Sequence, residues 1–365
     1  FITNNKTHPS KIESMNFFNN NIFTVKQTGN NNAIKGNISN KIIFLNSNSS
    51  KNKISLNGII NVNEDLIFDK EVELLPGTKF LIKPNKHIIF KKKVIAKGTQ
   101  EQPIVFKRFE NQEEPWGSVA IIGKNSEGSL INNVIFSGGS GGYFKQYRFT
   151  SMFSIHNAND IKIINSKFLF NDLFDDSIHI IYSSNINLKN IEIINAYGDA
   201  IDIDVSNKIL LENVSIENSN NDGVDFMESE ALVKNLKVIN SKDKGVSIGE
   251  NSKIIIKNSL IKNNKIGAAI KDNSIGQFSK VNFSDNTIQL ASYAKNWRYG
   301  NGGDAKIFDS IIEAKENKFV TTMDPDDFLK KKDKNLVQNS KIELMNTEII
   351  GKKNNIGRNI FYNIN

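Results

Sequence analysis

The sequence predicts an all-β protein: a single-stranded right-handed parallel β-helix, a solenoid with loop excursions and capping segments. Asparagines recur about every 23 residues, and short strands of alternating apolar residues fill the intervals. No stretch of the period shows the 3.6-residue spacing of an amphipathic helix. One coil of such a repeat cannot bury its apolar face alone, so successive coils must stack.

The asparagines form two series, each predicted to mark a corner of the coil. The first comprises Asn165, Asn190, Asn213, Asn235, Asn258 and Asn282. The second comprises Asn171, Asn195, Asn218, Asn240, Asn263 and Asn286. Asparagine tolerates the left-handed backbone conformation of a sharp corner. Its amide can also bond to the same amide one coil away, at about 4.8 Å. We therefore expect two asparagine ladders along the rod.

The regular period predicts three segments. Residues 1–57 are expected to be an N-terminal cap or irregular lead-in, residues 58–320 the β-helix, and residues 321–365 a C-terminal cap. That cap is predicted to contain a short helix at residues 325–333 and closing strands at residues 341–350. Surplus glycine-containing stretches at residues 137–149 and 297–304 predict two excursions from the coil.

Composition and charge exclude some classes of function. The 365-residue chain has no cysteine, which excludes disulfides and thiol chemistry. Its net charge of +8 is compatible with an anionic partner, but the lysines are dispersed and no nucleic-acid-binding motif accompanies them. No apolar run approaches the length of a membrane span. We expect neither a nucleic-acid partner nor a membrane span.

The chain begins at Phe1 and shows no signal peptide. A processed or partial chain is therefore expected, with a covalently attached neighbouring domain lost from its N-terminus.

The order of the repeat motifs resembles a known group. The motifs are "DDSIHI", "GDAIDID", "NDGVDFMES", "DKGVSIGENS", "IGAAIKDNS" and "IQLASYAKNW", preceded by "ELLPGTKFLIKP", "VIAKGTQEQPIVFKR" and "WGSVAI". They resemble the β-helix associated with CotH-kinase-like domains in bacterial surface proteins, within the pectate-lyase-like superfamily. The resemblance covers roughly residues 70–300. It implies a secreted or cell-surface setting and supplies no catalytic residues.

Alignment of the coils places polar residues in columns. The first column comprises Ser151, Asp176, Asp199, Asp222 and Lys244. The second, three positions on, comprises Ser154, His179, Asp202, Asp225 and Ser247. Strand parity predicts that the second column points outward, with Asp204 two positions beyond Asp202 on the same face. Since adjacent coils lie about 4.8 Å apart, these groups should form one compact patch.

Stacked carboxylates repel one another unless a cation or a shared proton compensates them. Ca²⁺ is the predicted cofactor, with the candidate ligands Asp199, Asp202, Asp204, Asp222 and Asp225. The candidate catalytic residues are His179, Asp202, Asp225 and Lys244, as paired carboxylates for glycoside hydrolysis or as a base for a lyase or epimerase. The alternative is structural: the first column caps turns, the outward column is solvated surface, and Asp243 pairs with Lys244.

Aromatic and basic residues of the excursions are candidate substrate contacts. They are Tyr147, Arg148, Tyr293, Trp297 and Arg298. Such side chains could line a sugar-binding wall, or the loops could pack the aromatic rings back onto the rod.

Two functions are compatible with these patterns. In the first, an extracellular or cell-surface module recognises a polysaccharide or cell-surface glycan through the acidic middle coils, with cleavage or epimerisation as its possible chemistry. In the second, the rod is a structural or adhesive surface domain without catalytic activity. The Asp columns favour the first function. The absence of a complete catalytic motif favours the second function. The segment "NDGVD" resembles the first polygalacturonase motif, but neither Gly-His-Gly nor Arg-x-Lys follows it. The sequence alone does not decide whether the chain is an enzyme.

Overall fold

The structure, a computed structural model, describes residues 53–110, 112–314, 320–325, 339–351 and 359–362. It also describes the backbone of the strands Thr24–Gln27, Ala33–Ile38, Lys41–Asn46 and Asn355–Ile356. These residues form two long sheets and one small hairpin.

One sheet, the front sheet, has a single short strand from each coil. Its twelve strands in the described residues pair in parallel and in chain order. They are Leu66–Phe68, Ile88–Phe90, Val119–Ile122, Ser151–His156, Asp176–Ile181, Ile201–Asp204, Val224–Met227, Lys244–Gly249, Ile266–Lys271, Ile288–Tyr293, Val320–Thr321 and Asn355–Ile356.

The other sheet, the back sheet, forms the remaining sides of the coils. Its first strands, Thr24–Gln27, Ala33–Ile38 and Lys41–Asn46, pair antiparallel. The strand Lys53–Asn57 begins the parallel stack by pairing with Glu71–Leu74. The other strands are Ile59–Val62, Lys79–Ile82, Val94–Lys97, Ile104–Arg108, Leu130–Asn132, Val134–Ser137, Asn159–Leu169, Ser184–Ala196, Ile209–Ser219, Glu230–Ile239, Lys253–Lys262, Ile275–Ser284, Asp304–Phe308, Ile311–Ala314, Lys341–Met345, Glu348–Gly351 and Ile360–Tyr362.

The strand register confirms the predicted coil length. Ile178 pairs with Ile201, Ile201 with Val224, and Val224 with Val246, which gives coils of 23, 23 and 22 residues. Parallel strands joined by such short connections are typical of a β-helix, and this fold class was predicted.

Both predicted excursions are present. The coil from Val119 to its partner Phe153 contains the antiparallel hairpin Gly142–Phe144 and Tyr147–Phe149. The coil from Leu290 to its partner Val320 contains the 3₁₀-helix Trp297–Tyr299. A second 3₁₀-helix, Lys124–Ser126, lies in the coil from Val119 to Phe153, directly after the front-sheet strand Val119–Ile122. None of the helices in the described residues has the length and hydropathy that crossing a membrane requires.

Apolar side chains that point inward from every coil form the core. Phe80, Phe106, Phe136 and Phe168 stack along the rod, with neighbouring ring centroids 4.6, 4.9 and 4.9 Å apart. Each fully buried side chain of this size contributes about 1.5–3 kcal/mol relative to an exposed one. Stacking of equivalent residues therefore holds successive coils in register.

The asparagine ladders are confirmed over the middle coils. The corner residues Asn165, Asn190, Asn213, Asn235 and Asn258 have φ between 49° and 55°. The Nδ2 of Asn190, Asn213 and Asn235 each donates to the Oδ1 of the preceding ladder asparagine, at 2.8–2.9 Å. The second ladder runs through Asn195, Asn218, Asn240 and Asn263.

Three predicted ladder members are wrong. The left-handed corners next to the confirmed residues are Lys280, Phe170 and Asp285, with φ of 55°, 57° and 55°. Asn282 instead lies in a strand opposite Leu260. Asn171 and Asn286 each follow the corner by one residue and are buried. Asparagine is so frequent in this chain that its spacing alone places a corner only to within one or two residues.

The third corner has a serine ladder that the sequence did not reveal. It is formed by the buried residues Ser183, Ser206, Ser229, Ser252 and Ser274. The backbone N–H of each of the first four donates to the Oγ of the next serine along the rod, at 3.0–3.1 Å. These bonds satisfy buried backbone donors at the end of each front-sheet strand.

The limits of the three predicted segments remain a prediction. The predicted closing strands are present as Lys341–Met345 and Glu348–Gly351. Of the predicted helix at 325–333, every residue after Pro325 lies outside the described residues.

Candidate functional site

Residues of successive front-sheet strands form one continuous outward column. The column runs Ile67, Ile89, Ala120, Ser154, His179, Asp202, Asp225, Ser247, Ala269 and Ala291. Its two ends are apolar and its middle is ionisable. We call the outward side of the three middle coils the acidic face, which comprises Asp176, His179, Asp199, Asp202, Asp204, Asp222 and Asp225.

The hairpin of residues 142–149 covers the N-terminal apolar end of the column. Its Phe144 and Phe149 are buried against Ile89, Ala120 and Ile122. Beyond the hairpin, Ser154 and His179 are buried, and Asp202 and Asp225 are the partly exposed residues of the polar part of the column.

The C-terminal end is covered by Tyr293 and by residues 294–303, which we call the strap. Tyr293 is buried with Ala269 and Ala291. The backbone N–H groups of Lys295 and Asn296 donate to Asp272 Oδ1 at 2.6 and 2.7 Å. The hydroxyl of Tyr299 donates to Glu228 Oε1 at 3.1 Å, and these contacts hold the strap against the side of the rod.

His179 lies at the centre of the acidic face. Its Nδ1 and Thr150 Oγ1 share a hydrogen bond of 3.0 Å. Its Nε2 lies 3.3 Å from Asp204 Oδ2 and 3.7 Å from Asp202 Oδ2. The ring packs edge-on against His156, with the ring centroids 5.1 Å apart. The threonine thus fixes the ring so that one nitrogen faces two carboxyl groups.

Burial and mutual repulsion raise the pKa of several of these carboxyl groups. Burial, followed by the charges of Asp222 and Asp225, raises the pKa of Asp199 to about 8. Burial, followed by the charge of Asp176, raises the pKa of Asp202 well above its ordinary value. Burial also raises the pKa of Asp176, whose Oδ2 has no hydrogen-bond partner. Asp199, with a pKa of about 8, therefore carries a proton that it can donate near neutral pH.

The raised pKa of Asp199 predicts an unusual pH dependence of stability. Between about pH 4, the ordinary carboxyl pKa, and pH 8, the folded state binds more protons at this group than the unfolded state does. The free energy of unfolding should therefore fall as pH rises through this window, by up to about 1.4 kcal/mol per pH unit for one group. In Asp199→Asn the residue keeps an acceptor for Asp222 N–H and cannot lose a proton, so the fall should be shallower.

Urea denaturation at pH 5, 6, 7 and 8 measures this effect, with the exposed Asp69→Asn as a matched control. If Asp199→Asn and the wild type have the same slope, Asp199 is ionised in the folded protein and the assignment is wrong.

The structure disfavours Lys244 as a catalytic base. Its buried Nζ donates to both carboxylate oxygens of Asp222 at 3.3 Å and also pairs with Asp243. Burial acts to lower the pKa of Lys244, but the charges of Asp222 and Asp243 outweigh it and leave the pKa raised. An ammonium held in this way cannot accept a proton near pH 7. The salt bridge between Asp243 and Lys244 agrees with the structural alternative, which predicted that these two residues pair.

The five predicted Ca²⁺ ligands do not converge on one point. Asp199 Oδ1 accepts from Asp222 N–H and from the amide of Asn221. Asp222 accepts from Lys244, and Asp225 Oδ1 accepts from Phe226 N–H at 3.0 Å.

Within the described residues, the one group of three whose ligand atoms lie within 4.8 Å of one another is His179, Asp202 and Asp204. An imidazole nitrogen suits transition metals better than Ca²⁺, which prefers oxygen ligands.

The predicted substrate contacts differ in exposure. Trp297 is 76% exposed at the tip of the strap, with the Arg298 guanidinium 5.9 Å from its ring. Arg148 lies over the rings of Tyr143 and Phe174, at 6.0 and 5.8 Å. In contrast, Tyr147 stacks on Phe149 and is half-buried. Tyr293 is only 3% exposed. Its ring therefore packs onto the rod, which was the predicted alternative to a role in a sugar-binding wall.

Sequence reasoning missed other residues around the acidic face. Tyr182 and Tyr197 are 62% and 49% exposed at the two ends of its strands. Exposed aromatic residues are unusual at the corners of a coil, and this signal could have identified them. Thr150 was also missed, because it lies in the excursion and contacts His179 only through the fold.

Comparison with known proteins supports the right-handed β-helix. Residues 151–312 match the family described as a right handed beta helix region. A mutant of the periplasmic alginate epimerase AlgG is similar in structure, with a TM-score of 0.53 and 12% identity over 85% of each chain. An alginate lyase from Paenibacillus has a TM-score of 0.43 and 10% identity, over 78% of this chain and 93% of that one. No curated protein matches this chain in sequence.

Proposed function

We propose that this chain is a polysaccharide-binding β-helix that cleaves its glycan by acid–base chemistry at the acidic face. The observation that carries the proposal is the position of His179, whose Nε2 faces Asp204 and Asp202 at 3.3 and 3.7 Å. This cluster lies on a surface bordered by the exposed aromatic rings of Tyr182 and Tyr197. Aromatic rings stack on sugar faces, and carboxyl pairs act on glycosidic bonds.

Each group has a role in this proposal. Asp202, whose pKa is raised well above its ordinary value by burial and by its acidic neighbours, donates a proton to the glycosidic oxygen. Asp225 faces Asp202 from the next coil and acts as the second carboxylate. The backbones of adjacent coils are about 4.8 Å apart, a spacing that allows the two carboxyl groups the ~5–5.5 Å separation found in retaining glycosidases. Asp225 attacks the anomeric carbon as the glycosidic bond breaks and the leaving oxygen takes the proton of Asp202. Water then hydrolyses the glycosyl–Asp225 ester and gives a proton back to Asp202. His179, whose Nε2 lies 3.7 Å from Asp202 Oδ2, positions this carboxyl group.

The cellular setting is part of the proposal. The motifs resemble the β-helix associated with CotH-kinase-like domains, which supports a bacterial, extracellular or cell-surface location. The structurally similar AlgG is a periplasmic alginate epimerase, so this fold can carry a polysaccharide-modifying site. A divalent cation, Ca²⁺ as first predicted or a metal that accepts nitrogen, is the alternative occupant of the group His179, Asp202 and Asp204.

A structural or adhesive domain is the second candidate function. It is favoured by the hydrogen bonds of Asp199, Asp222 and Lys244, which are all made within the rod. These contacts resemble turn capping, as the structural alternative requires.

A panel of soluble polysaccharides distinguishes the two functions. Binding and the release of reducing ends are measured for each glycan, in parallel with EDTA and with added Ca²⁺. The proposal expects at least one glycan to be bound and cleaved, with the same rate in EDTA. Activity that is lost in EDTA assigns the cluster to a metal instead. If no glycan is bound or cleaved in either condition, the proposal fails in favour of the structural domain.

A further inference from the structure

A buried lysine lies at the C-terminal end of the acidic face. Lys271 is only 4% exposed, and its side chain lies over Gly249 of the preceding coil. A Cβ on Gly249 would come within 3.2 Å of Cε and 3.5 Å of Nζ of Lys271. Gly249 does not have a positive φ, so its backbone does not require glycine. The absence of a side chain at this position leaves room for the lysine.

The ammonium of Lys271 is not held in a close ion pair by the described residues, and its charge acts only at longer range on Glu250, whose pKa it lowers against the larger effect of burial. In the described part of the chain, no carboxylate oxygen lies within 4.0 Å of its Nζ. The nearby hydroxyl of Ser247, two residues before Gly249 and on the same outward side, is buried and has no hydrogen-bond partner either. Buried polar groups are normally paired, and an unpaired ammonium destabilises the fold unless a ligand compensates its charge.

The segments that border the acidic face are cationic. The excursion at residues 137–149 contains Lys145 and Arg148, and the strap contains Lys295 and Arg298. All four side chains are exposed, and neither segment contains an aspartate or a glutamate. Two walls of one sign raise the local concentration of ligands of the opposite sign.

We infer that the bound glycan is anionic and that Lys271 binds the acidic group of one sugar unit at the C-terminal end of the acidic face. The inference rests on the proposed function and specifies its substrate class. The acidic group is a uronate carboxylate or a sulfate ester, since either pairs with an ammonium. Lys145, Arg148, Lys295 and Arg298 attract the same polyanion before it docks.

Binding of charged and uncharged oligosaccharides to Lys271→Met tests the inference. The probes are an oligogalacturonate, an oligoalginate, a sulfated galactan oligosaccharide and an uncharged xylan oligosaccharide. The wild type should bind an anionic probe in preference to xylan, and more weakly as salt rises. Lys271→Met should weaken that binding by about 30-fold, because a buried charge pair is lost. The matched control Lys257→Met removes an exposed lysine of the back sheet and should bind like the wild type.

A second variant keeps the charge of Lys271 and moves it. In Gly249→Ala the new methyl group lies 3.2 Å from Cε of Lys271 and shifts the lysine end by a few tenths of an ångström, so binding of the anionic probe should weaken less than in Lys271→Met although the net charge is unchanged. Equal binding of xylan and the anionic probes, or wild-type affinity in Lys271→Met, overturns the inference and leaves the proposed function intact. Binding of none of the probes or of the wider polysaccharide panel overturns both. Preference for the carboxylated or the sulfated probes identifies which acidic group is bound.

Discussion

Lys244→Met is expected to lower the free energy of unfolding by about 3–5 kcal/mol at pH 7, because it leaves the buried carboxylate of Asp222 without its cation. Lys244 and Asp222 side chains are 7% and 3% exposed, so water cannot replace the lost partner. Although burial, its largest influence, raises the pKa of Asp222 to about 6, the group is mostly ionised at pH 7 in the wild type. The variant must either hold an unpaired charge or take up a proton, and both destabilise it.

Chemical denaturation of three variants measures this effect. Lys253→Met removes the same side chain from an exposed pair with Glu230, at 3.6 Å, and should cost less than about 1 kcal/mol. Asp222→Asn added to Lys244→Met removes the stranded charge and should recover most of the loss. Equal losses in Lys244→Met and Lys253→Met would show that the buried ion pair does not stabilise the rod.

Much of the fold follows from local rules that the sequence states directly. Asparagine at a corner needs only a left-handed conformation and a neighbour one coil away, so the ladders could be predicted. The serine ladder could not, because serine carries no comparable backbone preference and its bonds run to main-chain N–H groups. The misplaced Asn282 shows the limit of counting by residue type, since the apolar alternation around it fixes the register instead.

The acidic face was predictable to the level of strand parity. Parity and coil length placed His179, Asp202 and Asp225 in one column, and the strand pairing agrees. Strand parity and coil length could not predict the contacts that the excursions make. The hydrogen bond of Thr150 to His179 and the burial of Tyr293 depend on how a loop of irregular sequence folds back onto the rod.

Asp202→Asn carries the second large expected effect, a loss of glycan cleavage. Asparagine keeps the shape of the side chain and cannot donate a proton as an acid. Removal of a general acid typically costs about 10²–10⁴-fold in rate. The same change replaces a carboxyl group, whose ionised form is disfavoured by burial and by the charges of Asp176, Asp204 and Asp225, with a neutral amide, so the melting temperature should stay the same or rise. A substitution that lowers activity but not the melting temperature is typical of a functional residue that itself destabilises the folded state.

The rate at which Asp202→Asn releases reducing ends from the glycan bound by the wild type is the most direct test of a functional acidic face. The exposed variant Asp69→Asn, with the same chemical change far from the cluster, is the control. We predict a rate about 10²–10⁴-fold below the wild type for Asp202→Asn, with an undiminished melting temperature, and a wild-type rate for Asp69→Asn. An Asp202→Asn protein that cleaves the glycan as fast as the wild type would contradict the assignment of acid–base chemistry to this face.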